Sequence, residues 1–335
     1  MSTTPLEKNV TSAPPTLATS AARPKTALQR VIPLRHPGRW IAIAVVVVIF
    51  AQFGHGLITN PFYQWSRFRY WFLRPVILDG LVVTLQVAAY SAVLGLIGGI
   101  ILAVGRSSRN PLLSGLSWLY IWVFRSIPLI VVLIFVYNFS ALYPRLSFGV
   151  PFGPAFFSVD ESKLFSYMAI AVIGLSLNEA AYAAEVVRSG LLSVDQGQLE
   201  AATALGMSKG RTFRRVQLPQ ALRTIVPSYV NQLIGLIKGT SIVFYVSLLD
   251  LFGQVETMGS TYPEDIIPLL MVATVWYLVL TTVLSVVQYY VERAYSKGAL
   301  RTMPLTPLQK ARKSVTDLRA RFRDSSDASR FGVTQ

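Results

Sequence analysis

The 335-residue chain has no cysteine and two histidines. Disulfides, thiolate chemistry and iron–sulfur clusters are thereby excluded, and a His-rich metal site has no ligands to draw on. Acids are scarce as well, 16 against 31 Lys and Arg, and charged residues of either sign make up 14% of the chain. No stretch carries the Gly-x-x-x-x-Gly-Lys-Ser/Thr spacing: Lys209-Gly210 and Lys238-Gly239 lack the preceding glycine, so the chain does not cradle nucleotide phosphates by itself. The net charge of +15 does not point to nucleic acid. The basic residues lie in the tails and in short connections beside apolar runs, where loops of membrane proteins carry them.

What the chain has in abundance is hydrophobic sequence, 53% of all residues. It comes in uncharged runs long enough to cross hydrocarbon, which takes about 20 residues each. Six spans are expected, at about 40–58, 76–104, 112–138, 164–188, 227–249 and 266–291. The first apolar run follows a polar lead with Pro14, Pro15, Pro24 and Pro33, so it reads as a retained helix and not a cleaved signal.

Arg30, Arg35 and Arg39 precede the first span, and the positive-inside rule puts that end in the cytoplasm. Six spans then place both termini inside. The even connections agree, holding Arg106 and Arg109, then Lys209, Arg211, Arg214, Arg215 and Arg223, then the tail from Arg293. The stretch 250–265, expected as an external loop, holds only acids. One connection is discordant: residues 62–74 should lie outside yet carry Arg67, Arg69 and Arg74. The aromatics Tyr63, Trp65, Phe68, Tyr70, Trp71 and Phe72 there suggest a segment lying in the membrane interface.

The expected organisation is therefore a disordered cytoplasmic N-terminal tail at 1–38, an extra transmembrane helix with an interfacial segment at 39–75, a transmembrane core at 76–293, and a basic cytoplasmic tail at 294–335. That last tail either contacts anionic headgroups or is simply solvated. In span two, Gly95, Gly98, Gly99 and Gly105 with Ala103 allow close approach of another helix.

The most unusual stretch, 197–223, is too polar to span and too well patterned to be loose. Leu199, Ala202 and Leu205 fall on one helical stripe, Gly206 and Gly210 supply stop signals, and Pro219 starts a new segment. A short helix, a turn and a second short helix are expected. Glu200-Ala201-Ala202, then Gly206, Val216, Leu218 and Pro219, resemble position by position the cytoplasmic loop of ABC importer permeases. The resemblance narrows to the polar-amino-acid (histidine/glutamine-type) permeases through Asp79-Gly80-Leu81, Thr84-Leu85, Arg125-Ser126-Ile127-Pro128, Asn178-Glu179-Ala180-Ala181-Tyr182 with Glu185 and Arg188, and Lys238-Gly239-Thr240-Ser241. Two departures stand out: the family more often has Arg-Gly-Thr-Pro at 125–128, and Asp or Asn at 239.

The resemblance implies an all-α polytopic transmembrane bundle of type I importer architecture in the bacterial inner membrane. It implies a permease that is not itself an enzyme and needs no cofactor. The implied partners are two ATPase subunits, a second permease chain, identical or homologous, an extracytoplasmic substrate-binding protein and the bilayer, with no nucleic acid. The implied coupling residues are Glu200, Ala201, Ala202, Gly206, Leu218 and Pro219.

Charges inside spans are costly and by default functional. On a helix of about 3.6 residues per turn, Asn178, Tyr182 and Glu185 fall within roughly 60° of one another, with Glu179 on the flank. With Arg125 and Lys238 they are candidates for a passage that meets both ends of an amino acid. The other reading is that the cations pair with Glu179 or Glu185 to hold the bundle together. A second class of function, an ion-coupled secondary transporter of small polar solutes, would use the same carboxylates for coupling.

Overall fold

The computed structural model describes residues 37–150, 153–160 and 165–295, together with 313 and 316. The expected tails at 1–38 and 294–335 thus fall almost wholly outside the described residues. Helix α1 (Pro37–Thr59) belongs to one unit, and everything from Asn60 onward to a second. α1 is 23 residues of nearly unbroken apolar sequence, about 1.5 Å of rise each, enough to cross hydrocarbon.

The second unit opens on a single 3-10 turn (Pro61–Tyr63) and a short helix, α2 (Trp65–Phe72). It continues through α3 (Pro75–Arg106), α4 (Pro111–Ser126), α5 (Leu129–Tyr137), the single turn α6 (Phe139–Leu142), and two strands, β1 (Arg145–Gly149) and β2 (Ala155–Asp160). Then come α7 (Tyr167–Leu192), α8 (Gln196–Ala204), α9 (Lys209–Thr212), α10 (Leu218–Gly239), α11 (Leu251–Thr261) and α12 (Ile266–Tyr295). Among the described residues, four helices are long and apolar enough to span, or six if each of two bent pairs counts as one.

Helix starts follow local chemistry. Pro75 and Pro111 sit in the first turns of α3 and α4, where a missing N–H costs nothing. Asn110 accepts from the Leu112 N–H, and Ser166 from the Ala169 N–H. α3 and α7 pack along their lengths because small residues face each other. A Cβ on Gly95 would stand 2.5 Å from Glu179 Cγ, and one on Gly99 2.5 Å from Ala183 Cβ, so only glycine fits this seam.

Three apolar clusters run through the second unit. Ala103, Val187, Val194, Ala221 and Ile225 join α3, α7 and α10 next to α8. Val87, Leu133, Leu175, Leu236 and Val243 join α3, α5, α7 and α10. Trp71, Ile77, Leu251, Val255, Leu269 and Val272 join α2, α3, α11 and α12.

Four expectations need correction. The span expected at 112–138 is broken: α4 and α5 meet at a 103° bend. Pro128 has no N–H and pushes Ile127 out of the helical region, to φ −88°, ψ 134°. The stretch 250–265 is not a loop but contains α11, capped by Asp250, which accepts from the Gly253 N–H. The second short helix of 197–223 does not stand alone. α9, a π-helical turn (Phe213–Gln217) and α10 form one continuous helical run, and Pro219 sits in the first turn of α10 without starting a separate segment. That run also carries Pro227 in the interior of α10, where the fifth span was expected to begin. Finally, Leu205 does not share the packed stripe of Leu199 and Ala202. It is 82% exposed while Ala202 is buried.

Candidate functional site

α8 is held as a rigid ledge at one end of the bundle. Asp195 caps its start by accepting from the Gln198 N–H at 3.1 Å. Its end closes by a paired hydrogen-bond motif: the Gly206 N–H donates to Thr203 O and the Met207 N–H to Ala202 O, with Gly206 at φ +73°. That left-handed conformation suits glycine and strains any residue with a Cβ. Leu199 packs on the cluster of Ala103, Val187 and Ala221, and Gln220 on α10 donates to Gln198 Oε1 at 2.5 Å. Ser193 and Thr224 hydroxyls meet at 3.2 Å just beside it.

With its inner face fixed to α3, α7 and α10, α8 turns Glu200, Ala201, Leu205 and Gly206 to the surface. Leu218 is half-buried and Pro219 exposed in the first turn of α10. The exposed cations Lys209, Arg211, Arg214, Arg215 and Arg223 surround this end, and Arg106 beside it donates to Ser114 Oγ.

The six polar candidates inside the bundle separate into groups. Asn178 donates from Nδ2 to Phe124 O at 2.8 Å, bridging α7 to the last turns of α4. Arg125, one residue on, lies over the Tyr182 ring with its guanidinium carbon 5.4 Å from the centroid. Glu185 accepts from Arg188 Nη2 at 2.9 Å and Nε at 3.2 Å, so among the described residues its cation is the neighbour on its own helix, not Arg125 or Lys238. Lys238 is exposed near the end of α10.

Glu179 stands apart. It is 3% exposed, wedged against Gly95 of α3, and its Oε2 accepts a long 3.5 Å bond from Gln232 of α10 while Oε1 has no partner among the described residues. Gln232 was missed from the sequence. Its signal was there to read: Tyr229, Asn231, Gln232 and Lys238 are polar residues inside a largely apolar span.

A cavity of about 550 Å³ lies in the elbow between α4, α5 and α7, lined by Val123, Phe124, Ile127, Val132, Phe135 and Leu177 among other apolar side chains. Such a lining offers no partner to an ammonium or a carboxylate.

The other half of the bundle holds two buried acids from the stretch expected as an external loop. Asp250 Oδ2 accepts from Thr84 Oγ1 at 3.3 Å and from the Tyr277 hydroxyl at 3.2 Å. Asp265 accepts from Trp71 Nε1 at 2.9 Å and pairs with Arg67 at 3.4 Å. Arg74 lies 3.8 Å over the Tyr70 ring.

Residues 95–297 match the family described as the binding-protein-dependent transport system inner membrane component. The chain belongs to this family. It is 42% identical over 286 residues to the arginine transport system permease protein ArgU of Corynebacterium glutamicum, covering 85% of this chain and 88% of that one. It is 33% identical over 219 residues to the glutamate/aspartate import permease protein GltK of Escherichia coli, covering 65% and 93%. Among solved structures it resembles a chain of an amino acid ABC transporter crystallised with histidines, at 29% identity and a TM-score of 0.57, covering 66% of this chain and 94% of that one.

Membership makes the chain a multi-pass inner-membrane permease of an ABC importer, a transport component whose ATPase is a separate subunit and whose solute arrives on a binding protein. The ion-coupled secondary transporter is thereby set aside.

Proposed function

We propose that this permease carries polar amino acids, that it works as one of two permease chains, and that it is driven through α8 by two ATPase subunits. The observation that carries the reading is the build of α8. A helix capped at both ends and pinned along one face moves as a unit with α3, α7 and α10, while Glu200, Ala201 and Leu205 face outward. Glu200 offers a charge-assisted hydrogen bond and Leu205 an apolar knob to a cleft on a partner. Closure of the ATPases then becomes displacement of the spans, which is alternating access.

The same reading puts α8 and both termini in the cytoplasm. Supporting it, Lys209, Arg211, Arg214, Arg215 and Arg223 are exposed together at the α8 end, as the positive-inside rule requires; at the other end Arg69 is exposed, while Arg67 is engaged by Asp265 and Arg74 by Tyr70. In the pathway, Asn178, Tyr182 and Arg125 form a polar patch beside the elbow, flanked by Glu185 and with Lys238 on the neighbouring span. Glu179 and Gln232 extend it toward α3. The named relatives carry arginine and glutamate or aspartate, so the class is amino acids with a polar side chain.

The test is reconstitution in liposomes with the ATPase and binding protein. ATP-dependent uptake of labelled arginine or glutamate is expected, and competition between the two assigns the side-chain charge. Uptake that follows an ion gradient without ATP, or ATP-dependent uptake of non-amino-acid solutes alone, would contradict the reading.

A further inference from the structure

β1 and β2 form an antiparallel pair between α6 and α7, with Arg145 opposite Asp160 and Phe148 opposite Phe157, and an irregularity in register where Gly149 meets Ala155. A lone two-stranded hairpin is at best marginally stable in water and depends on packing an apolar face. Here the apolar side chains are uncovered: Phe156 is 78% and Phe157 62% exposed, with Val150, Leu142 and Tyr143 exposed nearby. Successive strand residues point to opposite faces, so the two phenylalanines present apolar surface on both sides.

What covers them follows from where the strands sit. The hairpin leaves the end of the α4–α5 span and returns into α7, and aromatic rings gather at that level. Tyr137 stands 6.3 Å from Tyr167, and Phe139 4.9 Å from Tyr143. Aromatic girdles mark the headgroup level of a bilayer. The hairpin is therefore continuous with a rim of aromatic rings at the end of the α4–α5 span. Strands with open edges cannot enter hydrocarbon, where the unpaired backbone groups would go unsatisfied, so depth is limited to the interface. Exposed Ser147 and Ser158 suit the same level, since hydroxyls there still find water and headgroups.

We infer that the β1–β2 hairpin is a membrane-interface anchor, with Phe156 and Phe157 seated at the boundary between headgroups and acyl chains of the surrounding phospholipid. It holds the α5–α7 connection at a fixed depth while the spans rearrange, and it is independent of which solute is carried.

The natural absence of cysteine allows a direct test. Phe156→Cys and Phe157→Cys are labelled with a nitrobenzoxadiazole fluorophore, and the complex is placed in phosphatidylcholine/phosphatidylglycerol nanodiscs without binding protein. Emission at both positions is expected to be blue-shifted from the dye in buffer and quenched more by doxyl groups at shallow than at deep acyl positions. Water-like, unquenched emission at both would overturn the inference. A blue shift that arises only on adding the binding protein would overturn it too, by making the hairpin a protein-docking surface. As a second check, a label at Val150→Cys should lose shallow quenching when Phe156→Ser and Phe157→Ser are introduced together. Quenching that stays the same would remove the phenylalanines from the anchor.

Discussion

The two ends of the bundle use charge in opposite ways. Around α8 the cations and Glu200 are exposed, and order comes from how the helix is closed at each end: the Asp195 side chain on the Gln198 N–H, a Gly206 turn, and small side chains packed beneath. At the far end Asp250 and Asp265 are fully buried, and order comes from side chains: Thr84 and Tyr277 on one acid, Trp71 and Arg67 on the other. The first arrangement leaves Glu200 and the cations exposed without loosening the helix that carries them. The second ties α2, α3, α11 and α12 together and leaves its acids little freedom. On the proposed reading, the end that transmits motion is stiffened by its helix caps, and the end that holds its elements together by buried hydrogen bonds.

The seam between the ends should be the most sensitive to change. Gly99→Leu would put a Cβ 2.5 Å from Ala183 Cβ and 2.9 Å from the Ala184 backbone nitrogen. Overpacking costs about 1–3 kcal/mol, and contact with backbone puts this case at the upper end. Thermal unfolding in detergent should show the largest drop of any variant here, with a low yield of assembled complex. A variant as stable as the parent would mean that α3 and α7 are not so closely packed.

Next comes the far end. Asp250→Ala removes the α11 cap and leaves Thr84 and Tyr277 hydroxyls short of an acceptor, at about 1–3 kcal/mol for each buried group left unpaired. The expected outcome is lower thermal stability, with ATP hydrolysis and uptake still coupled in the surviving complex. Loss of coupling with stability intact would move Asp250 from the holding end to the transmitting one.

Gly206→Ala forces a Cβ into the left-handed region, which costs about 1–2 kcal/mol. No neighbouring atom lies within 4 Å of that Cβ, so the strain is conformational alone. α8 should fray locally while the bundle keeps its melting temperature to within a few degrees, and hydrogen exchange confined to 196–207 would report it. Arg67→Lys should be the mildest: a cation stays beside buried Asp265, Asp265 keeps its bond from Trp71, and the side chain at 67 is half exposed, so the change is roughly 0–1 kcal/mol. A large loss of stability would show that Arg67 does more than neutralise a buried acid.

The comparison also explains what could be read beforehand. Apolar runs and spaced small residues belong to local sequence, so the spans, the close approach of another helix to α3 and the α8 helix with its Gly206 stop were legible. The elbow at Pro128 was not, because hydropathy averages across 112–138 without regard to a missing N–H. Its sign was present in Ile127-Pro128, where the residue before proline avoids the helix. Asp250 and Asp265 were misread because charge counting ignores partners: Thr84 and Trp71 lie 166 and 194 residues away in sequence. Among the polar candidates, periodicity put Asn178 and Tyr182 on one face, and the structure turns that face toward α4. It could not foresee that Glu185 would be engaged by Arg188 or that Glu179 would turn toward Gly95 and Gln232.

The central claim, that force enters at the exposed face of α8, is tested most directly by Glu200→Ala and Leu205→Ser in reconstituted complex. Both side chains are exposed, so neither change should lower the melting temperature. Measured together, ATP hydrolysis stimulated by loaded binding protein and solute uptake per complex should both fall at least tenfold, a difference of about 1.4 kcal/mol or more. Stimulated hydrolysis and uptake at parental levels in both variants, with assembly intact, would contradict the account.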